Sequence, residues 1–255
     1  MILSKILKKI LTDSQWKRLK NYVKSFGLGK DLTKLAIIYN TDKWGGHYYT
    51  PHYQTHFTKF RNQKINLLEI GVGGYDDPKA GGESLLMWKR YFPFGNIFAI
   101  DIYSKSFDEE KRIKIFKGSQ VDKIFLLDVT NNISGLDIII DDGSHINEHV
   151  IETFKILFPL LNDGGLYVIE DIQTSYWPEY GGDSTNLNNS STIMSFFKKI
   201  TDGLNYRELI KPGYEATYYD KNIVSIHFYH NLIFIYKGKN DEESNIIKNN
   251  QAYSS

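Results

Sequence analysis

The chain has no cysteine among its 255 residues. That absence removes disulfides and thiolate metal sites, suits a reducing compartment, and makes the cytoplasm the expected location. A strong charge of one sign is also missing, since 31 Lys and Arg face 30 Asp and Glu for a formal net charge of +1. A dedicated nucleic-acid binder usually carries a positive field, so no nucleic-acid partner is expected. Long apolar runs are absent too. The opening Met1 to Leu11 is interrupted by Lys5, Lys8 and Lys9, which leaves neither the apolar stretch of a signal peptide nor the length needed to cross a bilayer. No internal repeat is visible.

The chain is 41% hydrophobic and 15% aromatic, enough for one domain with added elements. Its small net charge hides an asymmetry. Residues 1–30 hold eight Lys or Arg and one Asp, net +7, which leaves 23 basic and 29 acidic residues, net −6, in the remainder. Within that basic segment Ile2, Ile6, Ile10, Leu11, Trp16, Leu19 and Val23 recur at helical spacing. The pattern predicts an amphipathic helix or helix pair reaching Gly27 and Gly29. Such a helix would pack on the domain or on a second subunit, and a homo-oligomer is expected; contact with an anionic membrane surface is the alternative. The organisation read from these features is a basic helical extension over 1–40, a main domain over 41–239, and a polar tail over 240–255.

From residue 65 onward, apolar runs alternate with helical stretches, the pattern of a parallel sheet covered on both faces. Strands are expected at Asn66 to Ile70, Ile97 to Ile102, Ile113 to Phe116, Leu136 to Asp141 and Leu166 to Glu170. Helices are expected at Glu83 to Tyr91, Val121 to Leu127, Asn147 to Leu161 and Thr192 to Thr201. Ile223 to Tyr229 and Leu232 to Tyr236 flank the pair His230-Asn231 and read as a closing hairpin. The fold class is therefore α/β, a doubly wound, mostly parallel sheet with a terminal antiparallel hairpin and an N-terminal helical extension. The Asn- and Ser-rich stretch Asp183 to Ser191 reads as a surface loop.

In open α/β sheets, ligands bind beyond the carboxyl ends of the strands. Leu68-Glu69-Ile70-Gly71-Val72-Gly73-Gly74 stands at such an end. A tight turn with no ligand would also use those glycines, but Glu69 makes the pattern E-x-G-x-G, in which an acid supports the loop and the cationic end of S-adenosylmethionine (SAM). A dinucleotide loop, G-x-G-x-x-G, would need Gly or Ala where Asp76 stands. Asp101, ending the next strand, is placed to take both ribose hydroxyls, with an ordinary strand-end Asp as the alternative. Ser119 and Gln120, after the third strand, are candidates for the adenine edge.

Asp141 and Asp142 end the fourth strand, and Glu170 and Asp171 the fifth. Adjacent strands lie about 4.8 Å apart, so their terminal acids converge. Crowded carboxylates raise one another's pKa unless a cation neutralises them, and all-oxygen donors suit a hard divalent ion such as Mg²⁺. Asp142, Glu170 and Asp171 are the expected ligands; helix capping by Asp142 and Asp171 is the alternative. His145 lies within reach of a hydroxyl held at such an ion and is the expected general base, against a reading in which it only hydrogen-bonds its own loop. His149 adds a His-x-x-x-His spacing, but the neighbouring acids argue against zinc. Tyr49 and His52, in an aromatic segment before the first strand, and Tyr176 and Trp177, after the fifth, suit a sugar whose CH face stacks while its hydroxyls are read. Each is also an ordinary core or lid residue.

Asp42-Lys43-Trp44-Gly45, Tyr49 to Tyr53, Leu68 to Pro78, Gly81 to Trp88, Ile140 to His149 and Gly165 to Pro178 together resemble the metal-dependent sugar O-methyltransferases of macrolide biosynthesis, within the class I SAM-dependent methyltransferases. The resemblance implies Mg²⁺ at Asp142, Glu170 and Asp171 and a base at His145. It implies SAM contacts at Glu69, Gly71, Asp101, Gln120 and Asp141, and Gly73 is a further candidate from the loop motif itself. The macrolide enzymes carry a larger N-terminal region than the short lysine-rich segment found here. The expected acceptor is therefore a small-molecule sugar or nucleotide-sugar, a nucleotide-linked hexose or heptose for a surface polysaccharide, or a glycosylated natural product. The rival functions are an NAD(P)-dependent nucleotide-sugar oxidoreductase and a SAM-binding protein without turnover.

Overall fold

The computed structural model describes residues 8–106, 111–245, 247–248 and 251–252. The expected helical residues Ile2 and Ile6 lie outside the described residues. The described chain falls into two compact units, one drawn from Met1–Ile65, Val72–Ile97 and Lys105–Lys114, the other from Asn66–Gly71, Phe98–Ser104 and Ile115–Ser255.

The first unit is helical. α1 (Asp13–Lys24) begins at a capping box, in which the Thr12 hydroxyl accepts the Gln15 N–H and the Gln15 side chain accepts the Thr12 N–H. α2 (Leu32–Tyr39) is capped by Asp31 and stopped by Asn40 in the left-handed region at φ 62°. α3 (Thr50–Phe57) carries a proline in its first turn, and α4 (Glu83–Tyr91) starts at Gly82. Tyr53, Phe57, Trp88 and Phe92 form the centre, all fully buried, with ring centroids 4.8–5.4 Å apart. Sequence periodicity found α4 but missed α2 and α3, which are only eight residues each; two helical turns give periodicity too little length to register.

The second unit holds most of a seven-stranded sheet of order β3-β2-β1-β4-β5-β7-β6. The strands are β1 (Asn66–Ile70), β2 (Asn96–Asp101), β3 (Ile113–Lys117), β4 (Leu136–Asp141), β5 (Leu161–Glu170), β6 (Ile223–Tyr229) and β7 (Leu232–Lys237). β1, β4 and β5 pair in parallel, whereas β7 runs antiparallel to β5 and closes a hairpin with β6. This is the expected doubly wound sheet with its terminal hairpin. α5 (Lys123–Asn131), α6 (Asn147–Leu157), α7 (Ile193–Thr201) and the short α8 (Tyr218–Asn222) complete the unit.

α6 ends at Leu157 rather than Leu161 because Pro159 lacks an N–H and cannot continue the helix; Phe158–Leu160 form a 3₁₀ turn instead. β5 begins at Leu161, opposite Leu136, and then bulges before pairing resumes at Leu166 opposite Ile138. One face of the sheet packs on α6 and α7 through Ile139, Tyr167, Ile169, Phe154, Leu157 and Phe197. Phe154 is the hub of this cluster, with the rings of Phe158, Tyr167, Phe197 and Tyr219 between 4.8 and 5.4 Å away. None of the described helices is long and apolar enough to cross a membrane. Removing a fully buried aromatic leaves a cavity, so Phe154→Ala should cost about 3–5 kcal/mol. Urea unfolding measures the loss; a change below about 1 kcal/mol would mean that the cluster repacks freely.

Candidate active site

The site grows from strand register. Ile70 pairs with Asp141, and Asp141 with Ile169, so three adjacent parallel strands reach the same level together. Gly71, Asp142 and Glu170 follow at that level. The Asp142 N–H donates to the Ile70 carbonyl at 3.0 Å, and the Gly71 N–H to the Ile100 carbonyl at 2.8 Å. Gly71 has φ 93°, and a Cβ there would strike the Asp142 carbonyl. Gly73, in the first unit, has φ 76°, and a Cβ there would meet only Gly81 Cα, at an ordinary contact distance of 4.0 Å. One glycine is needed for a close approach of backbones, the other for its dihedral alone.

Glu69 is fully buried on β1, paired with Ile140. Asp141 is buried too, and loss of water pushes its carboxyl up to about 7, with the Asp142 charge adding to the rise; the Gly143 N–H and the Gln120 amide act in the opposite sense. The Gln120 amide donates to Asp141 Oδ1 at 3.2 Å and to Thr153 Oγ1 at 3.1 Å, while its oxygen accepts the Ser144 N–H at 2.8 Å. These bonds engage both ends of the amide inside the protein, where it braces the Asp141–Ser144 turn. Asp101 ends β2, nearly buried, with Oδ1 accepting the Tyr103 N–H at 2.8 Å. The Ser119 hydroxyl accepts the Val121 N–H at 3.4 Å.

Asp142, His145 and Asp171 meet in one cluster, each offering a ligand atom within 4.8 Å of the others. His145 Nε2 stands 3.9 Å from Asp142 Oδ1 and 3.7 Å from Asp171 Oδ2, all three side chains being about four-fifths buried. His145 and Asp171 both adopt the left-handed region, at φ 56° and 55°. For a non-glycine residue that geometry costs of order 1–3 kcal/mol and is typical of functional sites. Neither acid caps a helix. Asp171 precedes the 3₁₀ segment Ile172–Tyr176 without a side-chain cap bond, and α6 follows Ile146, also without one. Glu170, expected beside them, is not among the three: it lies buried in β5 opposite Leu232. Successive strand residues point to opposite faces, and the left-handed turn at Asp171 redirects the chain just after it.

His145 Nδ1 is buried with no hydrogen-bond partner among the described residues. His149 is drawn away, its Nδ1 lying 3.0 Å from the Ser144 hydroxyl. Tyr176 and Trp177 are partly exposed beyond β5. In the first unit, Tyr49 is buried with its ring stacked on His47 at 4.7 Å, and His52 is half-buried, which lowers its pKa.

Sequence reading missed Asn147. This buried side chain donates to the carbonyls of Thr174 and Tyr180, each at 2.9 Å, and accepts the Ile193 N–H at 2.7 Å. It ties the loop bearing Tyr176 and Trp177 to the starts of α6 and α7. The signal was an Asn at a helix start, easily taken for a simple cap.

No protein-family model matches the chain. It is 47% identical over 214 residues to mycinamicin VI 2''-O-methyltransferase of Micromonospora griseorubida, covering 83% of this chain and 54% of that protein. It is 45% identical over 222 residues to 8-demethyl-8-alpha-L-rhamnosyl tetracenomycin-C 2'-O-methyltransferase of Streptomyces olivaceus, covering 87% of this chain and 58% of that one. Among solved structures, a methyltransferase of the mycinamycin biosynthetic pathway, in complex with Mg, SAH and mycinamycin VI, superposes with a TM-score of 0.80 at 47% identity. That match covers 84% of this chain and 55% of the other. The chain spans about half the length of the curated relatives it matches.

The two glycines separate by substitution. Both alanine variants carry the left-handed penalty of about 1–2 kcal/mol. Only Gly71→Ala also pushes on the Asp142 backbone, so it should lower the melting temperature further than Gly73→Ala and weaken divalent-ion binding. Thermal unfolding with a magnesium titration decides; equal effects would show that the close approach does not set the position of Asp142.

Proposed function

We propose, on the premise that this chain belongs to the macrolide-sugar O-methyltransferase family typified by the mycinamicin enzyme, that it transfers the methyl group of SAM to a hydroxyl of a sugar carried on a natural product. The observation that carries the reading is the Asp142–His145–Asp171 cluster at the ends of two adjacent strands. The donor set suits a hard divalent ion of the Mg²⁺ kind, held by Asp142 and Asp171, with Glu170 adding negative charge at the end of β5. Such an ion supplies the field that orients the acceptor hydroxyl and lowers its pKa.

His145 is the base. Its Nε2 faces the two acids, and its backbone lies in the left-handed region. As the hydroxyl oxygen attacks the methyl carbon, the S–CH₃ bond of SAM breaks, an O–CH₃ bond forms, and the hydroxyl proton passes to Nε2. Glu69, Gly71 and Asp101 are the strand-end positions we assign to SAM in the second unit. Gln120 and Asp141 act there by holding the turn that carries Asp142 through Ser144. Tyr176 and Trp177, presented on the tethered loop, meet the sugar.

The acceptor in one relative's name is a rhamnosyl tetracenomycin, a glycoside rather than a nucleotide sugar or surface polysaccharide. The glycosylated natural product is therefore the acceptor class we favour, and the cytoplasm the compartment. Removing a positioned base typically costs 10²–10⁴ in rate, so His145→Ala should lose turnover by about that factor while SAM still binds in calorimetry. Chelator treatment should also stop methyl transfer, restored by added Mg²⁺. A mass assay for the gain of one methylene on a glycoside reads both, and full activity after either treatment would overturn the mechanism.

A further inference from the structure

The cluster offers more than a seat for a hard ion. It contains an imidazole nitrogen beside two carboxylates, and nitrogen donors favour first-row transition ions over Mg²⁺. Donors on a tetrahedral ion with bonds of about 2.0–2.1 Å stand roughly 3.4 Å apart. His145 Nε2 lies 3.7 and 3.9 Å from the two carboxylate oxygens, a few tenths of an ångström beyond that spacing, and all three ligand atoms lie within 4.8 Å of one another. A ligating histidine is ordinarily fixed by a partner on its other nitrogen, yet Nδ1 of His145 has none among the described residues. His149 is not a competitor, being engaged by Ser144.

We propose that, in the acceptor-free protein, a transition divalent ion such as Zn²⁺ or Co²⁺ binds this cluster with His145 Nε2 as a direct ligand beside Asp142 and Asp171. The nitrogen lone pair that ligates the ion is then no longer open to a proton, so this occupancy silences the enzyme, whereas an ion held by oxygen donors leaves the imidazole free. The same side chain thus sets the ion selectivity of the site. The silencing rests on the proposed function, in which His145 is the base; the ligation does not.

Calorimetric titration of the full acceptor-free chain with ZnCl₂ alone and with MgCl₂ alone tests it. His145→Gln should weaken Zn²⁺ binding at least about tenfold, the loss that even an outer-sphere change at a metal site typically brings, while Mg²⁺ affinity stays within about threefold. Cobalt gives a second readout that needs no variant, since a nitrogen ligand from His145 marks the visible spectrum of the bound ion. An equal loss for both ions, no loss for either, or a cobalt spectrum of oxygen ligands alone would overturn the inference. Wild-type methyl transfer by His145→Gln would instead overturn the role of His145 as base and leave the ligation standing.

Discussion

Everything at the active end of this protein hangs on one close approach, that of Gly71 to the carbonyl of Asp142. The paired registers bring β1, β4 and β5 to a common level, but level strands alone would leave their following loops to diverge. The Asp142 N–H, bonded to Ile70, carries the ladder one residue past the strands, and the missing Cβ of Gly71 lets the two backbones meet. Asp142 is therefore placed by backbone contacts before its side chain makes any contact of its own. His145, three residues on, inherits that placement, and the Gln120 amide locks the intervening turn from the other side.

Strands and acids were legible because both follow local rules. Apolar runs such as Leu136 to Ile140 can only be interior strands, and Asp142 and Asp171 follow strand ends where parallel sheets gather their ligands. What escaped is what depends on partners distant in sequence. The Gln120 amide is engaged by Asp141, Thr153 and Ser144, and no periodicity encodes such a network. Glu170 and Asp171 looked equivalent on paper. Asp171 lies in the left-handed region between strand and 3₁₀ turn, and Asp is among the few side chains that tolerate that conformation. The helices α2 and α3 were too short to show a period, and their cohesion comes from aromatic packing with α4.

The two left-handed residues also bear on stability. Strain at His145 and Asp171 is held in place by the surrounding bonds, and neither position is one that folding alone would choose. A cluster of carboxylates around an imidazole adds repulsion that a bound cation relieves.

Asn147 carries a consequence for the loop that follows β5. Two of its three bonds reach the loop after β5, through the carbonyls of Thr174 and Tyr180, and the third reaches the start of α7 through the Ile193 N–H. Main-chain tethers are indifferent to side-chain identity. The segment carrying Tyr176 and Trp177 is in this sense a cassette: the side chains at those two positions can change while the Asn147 mounting stays unchanged.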